Sequence, residues 1–432
     1  MDFTRRNFLG ISAGGFASFL MHHKWNFLQA QDAAKDAKAC IVLWMDGGPS
    51  QMETWDPKPG RPNGGPCKAI ETSAKDIKIS EFLPRTAKMM HRGSIIRSVH
   101  SEEQDHARAA YLMHTGYKPT AMVTHPTLGS IAAYESQRVE GVPAYVSVRS
   151  AAQFAFNADP GPGFLGPDVA PFIIDKPEKP NETIKALGEG LKERIDLLED
   201  LNKTFREERP SDNSKKRESM VESMKNIKDS VFAKALDLRD VKPETLARYM
   251  GESSKASGAV AGYQLSPTAF GYGCLLAHRL VSSGVRFVEV NLGGWDTHGD
   301  NYNAVGNLCK MLDPGMSALL EDLDKGGQLD KTLVVWMGEF GRTPVINGGK
   351  GRDHWPNGYS VPMWGAGVGG GRVIGATDED GAKIAKDPVP IADMFATIVH
   401  LLGIDPNKRY QSHDVGAVRV TDNGKAVKAV YE

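Results

Sequence analysis

Five short apolar runs rich in β-branched side chains punctuate the chain, at 39–45, 94–99, 144–148, 285–292 and 332–337. Their length and branching predict strands rather than helices. Between and after them, apolar residues recur at spacings of three and four over 80–90, 107–114, 128–137, 268–283, 303–323 and 391–402. That is the period of a helix burying one face. Strands alternating with helices predict an α/β fold built on a mainly parallel sheet with helices on both faces.

The pattern changes between about 159 and 266. Asp159-Pro160-Gly161-Pro162-Gly163 opens a loop, and 183–207 and 214–238 read as long charged amphipathic helices separated by Arg209-Pro210-Ser211-Asp212-Asn213. This predicts a helical insertion at about 175–260, either a solvated bundle beside the sheet or a lid or dimer arm over a site. Gly365-Ala366-Gly367-Val368-Gly369-Gly370-Gly371 lacks the Lys-Ser/Thr of a phosphate loop and precedes no helical pattern. It reads as a hairpin turn before Arg372-Val373-Ile374.

The N-terminus follows a different logic. Thr4-Arg5-Arg6-Asn7-Phe8-Leu9 precedes a mildly apolar run over 10–21, and Leu28-Gln29-Ala30 offers a small-residue cleavage site. Together these predict a twin-arginine signal peptide at 1–30, export by the twin-arginine machinery, and a mature protein in the periplasm or another extracytoplasmic space. The apolar run is well short of the roughly 20 residues that span a bilayer, so no stable membrane span is expected. Residues 31–432 then form a single α/β domain carrying the helical insertion.

With 52 Lys+Arg against 53 Asp+Glu and no basic block longer than Lys215-Lys216-Arg217, the chain has no electrostatic footprint for nucleic acid. Cys40, Cys67, Cys274 and Cys309 are far apart and form no CxxC pair, which leaves disulfides and free buried thiols both open. Nothing in the pattern sets an oligomeric state.

Candidate chemistry collects at strand ends, the edge where open α/β sheets bind ligands. The first strand runs into Asp46-Gly47-Gly48-Pro49-Ser50, the fourth is followed by Trp295-Asp296-Thr297-His298-Gly299-Asp300, and the fifth by Gly338-Glu339-Phe340-Gly341-Arg342. Asp353-His354 lies a short way beyond. Carboxylates supply charge and neutral imidazoles a directional nitrogen, the mixture that holds a divalent ion. On extended backbone, residues two apart point the same way, so Asp296 and His298 are able to face one ion. Asp46, Asp296, His298, Glu339 and His354 are therefore the candidate metal ligands, for zinc, manganese or calcium. Arg342 is a candidate clamp on phosphate or sulfate oxygens, or else a partner for Glu339 or a surface carboxylate. Asp105 and His106 lie where a strand passes into the helix at 107–114, and read as ligand, general base or nucleophile, with Asp105 equally a plain N-cap. His114 and His125 are left open.

These motifs resemble the alkaline-phosphatase superfamily, and within it a twin-arginine-exported, sulfatase-like branch known as a domain of unknown function. Asp46 resembles the first-strand metal aspartate, and Arg108-Ala109-Ala110-Tyr111-Leu112-Met113-His114-Thr115-Gly116-Tyr117 the helix that follows the sulfatase nucleophile. Residues 333–341 resemble the strand and turn that supply further ligands, with Glu339 in the place of an aspartate, and 391–404 the closing helix. The resemblance implies an alkaline-phosphatase-like α/β fold and ester hydrolysis. Two departures stand out. Gln104, Asp105, His106 and Ala107 precede Arg108 in place of the Cys/Ser-x-Pro-x motif, and Phe340 occupies the position of an imidazole.

The expectation is an exported metal-dependent hydrolase acting on a phosphate ester, less so on a sulfate ester, through an ion that polarises the ester and activates water, assisted by Asp105 or His106. The rival expectation is a non-catalytic exported binding protein that keeps the fold and a structural ion.

Overall fold

In the computed structural model the described residues are 39–137, 139, 141–149, 161–188, 230–253, 256–260, 262–412 and 415–432. The twin-arginine segment and most of the two long charged helices lie outside them. Nine strands form the main sheet: β1 (Ala39–Met45), β2 (Gly93–His100), β3 (Tyr145–Arg149), β4 (Phe172–Ile174), β5 (Phe287–Leu292), β6 (Thr332–Met337), β7 (Tyr359–Trp364), β8 (Arg372–Ile374) and β9 (Val389–Pro390). Their order is β8-β2-β7-β6-β1-β5-β3-β4, with β9 also pairing β2.

The sheet is mostly parallel, as the alternating pattern predicts. β1 lies at its centre between β5 and β6, parallel to both, with Met45 opposite Leu292 and Trp44 opposite Met337. Every residue of β1 is buried, which explains why its sequence is a continuous apolar run rather than an alternating one. Successive side chains still go to opposite faces. Ile41, Leu43 and Met45 join one core, under α6 (Ala269–Ser282) and α7 (Asn301–Lys325). Cys40, Val42 and Trp44 join the other, under α1 (His106–Thr115), α2 (Leu128–Glu135) and α8 (Ile391–Leu401). The helices Pro180–Gly188, Val231–Leu236 and Pro243–Met250, α3 to α5, are the described helical parts of the insertion and the segment after it.

β7 is antiparallel to both β6 and β2. Its amino end therefore lies on the edge where the other strands end. The segments after β1, β2, β5 and β6 and the segment before β7 all emerge together, which is the topological reason residues from Asp46 to His354 meet.

Two local expectations differ from the structure, and one strand has no counterpart in the pattern. The run at 80–90 is not one helix: Lys78–Ser80 is a strand, and a 3₁₀-helix covers Thr86–Arg92. Pro84 breaks the run, and the Asp313 carboxylate on α7 accepts the Arg85 and Thr86 amides at 2.9 and 2.8 Å, capping the turn from a distant element. β7 itself contains Pro362, which lacks the amide a central strand uses and hides the strand from pattern reading. The glycine-rich loop at 365–371 is not a hairpin, because β7 and β8 pair with opposite sides of β2.

Cys40, Cys67, Cys274 and Cys309 are all buried free thiols. Among the described residues no helix is long and apolar enough to cross a membrane.

Candidate metal centre

The turn after β1 shapes the centre. Gly47 and Gly48 have φ of +116° and +74°, which L side chains rarely adopt. A Cβ on Gly47 would come within 2.5 Å of the Asp296 amide nitrogen, and one on Gly48 would strike the Phe340 ring. Only glycine lets the turn pass between these two segments. In return, the Gly47 amide donates to Glu339 Oε1 at 2.9 Å, and the Gly47 and Gly48 carbonyls accept from Arg342, the latter from Nε at 2.8 Å.

Asp296 Oδ1 is the hub. Arg342 Nη2 lies 2.6 Å from it, His298 Nε2 3.0 Å, His354 Nε2 3.3 Å and His106 Nε2 3.5 Å. His298 Nε2 and His354 Nε2 are 3.1 Å apart. His106, Asp296 and His354 each offer a ligand atom within 4.8 Å of the others. His106 begins α1, and His354 lies on a two-stranded ribbon that pairs it with Arg342.

Each imidazole is held from behind by its other nitrogen. His106 Nδ1 meets Glu339 Oε1 at 2.7 Å, His298 Nδ1 meets Asp353 Oδ1 at 2.8 Å, and His354 Nδ1 meets the Gln104 carbonyl at 2.8 Å. Ionised carboxylates and carbonyls only accept, so each Nδ1 carries a proton, and a ring that gives up its Nε2 proton presents that nitrogen's lone pair to the hub. This is the arrangement by which proteins orient metal-ligating histidines. The Phe340 ring packs beside His106 and His354, with centroids 5.0 and 4.5 Å away.

The charges are strongly coupled. Burial pushes the Asp296 carboxyl up, but hydrogen bonds from His106 and His354 and the Arg342 charge outweigh it and hold it well below the usual carboxylate range. Burial pulls the His106 imidazole down, and Asp296 and Glu339 more than compensate, raising it to about 9. Burial also draws the Arg342 guanidinium below its ordinary value, against the pull of Asp296. The exposed Asp353 carboxyl is lowered by its hydrogen bond with His298.

Of the sequence candidates, Asp296, His298 and His354 meet in the cluster, and His106 joins them. Glu339 stands behind His106; its Oε2 is buried with no hydrogen-bond partner among the described residues. Asp46 is buried, with Trp44 Nε1 donating to its Oδ1 at 3.3 Å. Asp105 is the exposed N-cap of α1, accepting from the Arg108 amide at 3.1 Å, which is the capping role the sequence offered. Arg342 is fully buried and pairs with Asp296 rather than Glu339; all three of its nitrogens have protein partners, which removes the free clamp. His114 instead faces Glu289 at 3.2 Å, and His125 stacks on Tyr117 with centroids 4.0 Å apart.

Sequence reasoning did not assign roles to Asp353, the Gln104 carbonyl or the Arg352–Glu53 pair. Asp353 was visible as the neighbour of His354, whereas a backbone carbonyl and a pair separated by some 300 residues leave no local signal. The donor chemistry fits a divalent ion: imidazole nitrogens and one carboxylate oxygen converge, with a further buried carboxylate oxygen left over.

Solved structures similar to the chain include the lipoteichoic acid synthase LtaP of Listeria monocytogenes, 9% identical with a TM-score of 0.40, covering 90% of this chain and 76% of that one. A second is the PsFucS1 sulfatase of Pseudoalteromonas sp., 11% identical with a TM-score of 0.40, covering 92% and 74%. A third is the alkaline phosphatase of the Antarctic bacterium TAB5, 12% identical with a TM-score of 0.35, covering 85% and 99%. At these identities and scores they transfer no residue role. No curated protein matches the chain. The model of the family described as "Protein of unknown function (DUF1501)" matches residues 37–431, and the chain belongs to that family.

Proposed function

We propose that the protein is an exported, metal-dependent hydrolase of phosphate esters, with sulfate esters the poorer substrates. The observation that carries the reading is the convergence of His106, Asp296 and His354 at the ligand-binding edge of the sheet, with His298 against the same carboxylate oxygen. When bound there, a divalent ion supplies Lewis-acid polarisation of an ester oxygen. The protein's own groups hold the geometry. Arg342 keeps Asp296 anionic and fixed, Glu339 and Asp353 orient two of the imidazoles, and Phe340 walls the rings. An anionic substrate group near His106 faces the amino end of α1, where the helix dipole favours negative charge. The absence of a Cys/Ser-x-Pro-x-Arg sequence before α1 supports phosphate over sulfate esters, and the twin-arginine pattern at 1–30 supports export to the periplasm.

One observation favours the alternative, an exported binding protein with a structural ion. The nearby hydroxyls turn inward: Thr297 donates to Asn301 Oδ1 at 2.6 Å and Thr343 to the Val345 carbonyl at 2.9 Å. Metal analysis of the purified mature protein, followed by turnover of aryl phosphates, phosphodiesters and aryl sulfates, separates the two. The hydrolase reading expects bound metal and faster cleavage of a phosphate ester. Metal-replete protein that cleaves none of them leaves the binding protein in its place.

A further inference from the structure

Building on the metal-dependent reading, we propose that the centre takes four protein ligands, with His298 completing the group of His106, Asp296 and His354. His106, Asp296, His298 and His354 then form a three-imidazole, one-carboxylate centre selective for a first-row transition ion of the zinc type over calcium or magnesium, with Glu339 a positioning residue.

The separations carry the first step. Four ligands around a tetrahedral ion at about 2.0–2.1 Å stand about 3.3–3.4 Å from one another. Four of the six separations among the donor atoms come close to this, at 3.0, 3.1, 3.3 and 3.5 Å. The second step is protonation geometry. With each Nδ1 committed to an oxygen acceptor, the Nε2 atoms of His298 and His354 face each other at 3.1 Å, lone pair to lone pair once neither carries an Nε2 proton. Opposed lone pairs repel unless a cation is shared between them.

The third step is donor type. Calcium takes six to eight oxygens and magnesium an octahedron of them, whereas imidazole suits zinc, copper, iron and nickel. Two of the nearby carboxylate oxygens are already employed behind the cluster. Glu339 Oε1 receives His106 Nδ1 and the Gly47 amide, and Asp353 Oδ1 receives His298 Nδ1 and Asn347 Nδ2. His106 comes from the β2–α1 connection, while the other three come from the segments after β5 and before β7. The ion therefore ties the start of α1 to the opposite side of the site.

Cobalt(II) titration of the ion-free mature protein, followed by visible absorption, tests this. The expected result is one cobalt per chain with the intense ligand-field bands of a four-coordinate ion, undiminished by a large excess of calcium or magnesium. His106→Ala and His106→Gln should weaken binding at least tenfold and replace the spectrum with the fainter bands of a water-completed ion. Glu339→Gln should lose affinity by about 10–100-fold while keeping the four-coordinate spectrum, as expected of an orienting partner. Parent-like spectra and affinity in a folded His106 variant overturn the four-ligand centre, and displacement of cobalt by equimolar calcium overturns the selectivity. Inorganic phosphate added to the cobalt protein addresses the hydrolase reading separately. An unchanged spectrum together with no ester turnover defeats that reading and leaves the four-ligand centre standing.

Discussion

Two fully buried arginines, ten positions apart in sequence, do different work. Arg352 meets Glu53 through Nε at 3.0 and 3.1 Å and through Nη2 at 2.6 Å, and its remaining donors reach the carbonyls of Thr343, Pro344 and Asn63. The Ser50 hydroxyl completes the Glu53 carboxylate. Supply and demand match, and the pair simply clasps the loop before His354 to the segment after β1. Arg342 is as deeply buried, yet its partner oxygen, Asp296 Oδ1, is shared with three imidazole nitrogens that it cannot all accept from in one plane. The lesson is that burial does not separate a structural charge from a functional one. Imidazoles held from behind by Nδ1 and converging through Nε2 on one carboxylate oxygen do, because a cation accepts their lone pairs.

The contrast breaks most sharply at the structural pair. Glu53→Ala leaves Arg352 buried and uncompensated, and should cost about 3–5 kcal/mol in denaturant unfolding, while the folded fraction keeps its metal. A loss of metal with little loss of stability would place Glu53 in the centre instead. At the other pair, Asp296→Ala should abolish metal binding. Adding ion at about 100 to 1,000 times its dissociation constant should stabilise the parent by about 2.7–4.1 kcal/mol and the variant not at all, as read by thermal unfolding.

Protonation sharpens the comparison further. Against the pull of burial, Asp296 and Glu339 raise the His106 imidazole to about 9, so without an ion it is charged at pH 7, and ligation requires its neutral form. Metal uptake at pH 7 should expel about one proton. Affinity should rise about tenfold per pH unit up to about pH 9 and then level, as measured by calorimetry in buffers of different ionisation enthalpy. A flat profile between pH 7 and 9 contradicts ligation through His106. The smallest effect is expected at Asp353→Asn, which keeps a side-chain oxygen to accept from His298 Nδ1 on an exposed rim and should weaken metal binding by about tenfold.

Much of this was legible from periodicity. β1 and β6 emerge with the predicted bounds because continuous apolar runs bounded by turn residues have few alternatives in an α/β chain. Asp296, His298 and His354 were legible because strand ends in a parallel sheet converge. The direction of a side chain after a tight turn was not. Glu339 sits at the correct edge, but its Oε1 is taken by His106 Nδ1 and by the Gly47 amide of the turn that packs against it, and sequence carries no sign of that close approach. His106 was ambiguous because helix-starting position alone does not say whether a ring faces solvent or a carboxylate on β6's loop. Pro362 hid β7, and with it the antiparallel step that brings His354 to the site.

Anomalous X-ray scattering from crystals of the zinc-loaded protein, collected on both sides of the zinc absorption edge, tests the central claim most directly. One anomalous peak is expected, bonded to Nε2 of His106, His298 and His354 and to Oδ1 of Asp296. A peak held by Asp46 and Glu339 instead, or no peak at this edge of the sheet, would contradict it.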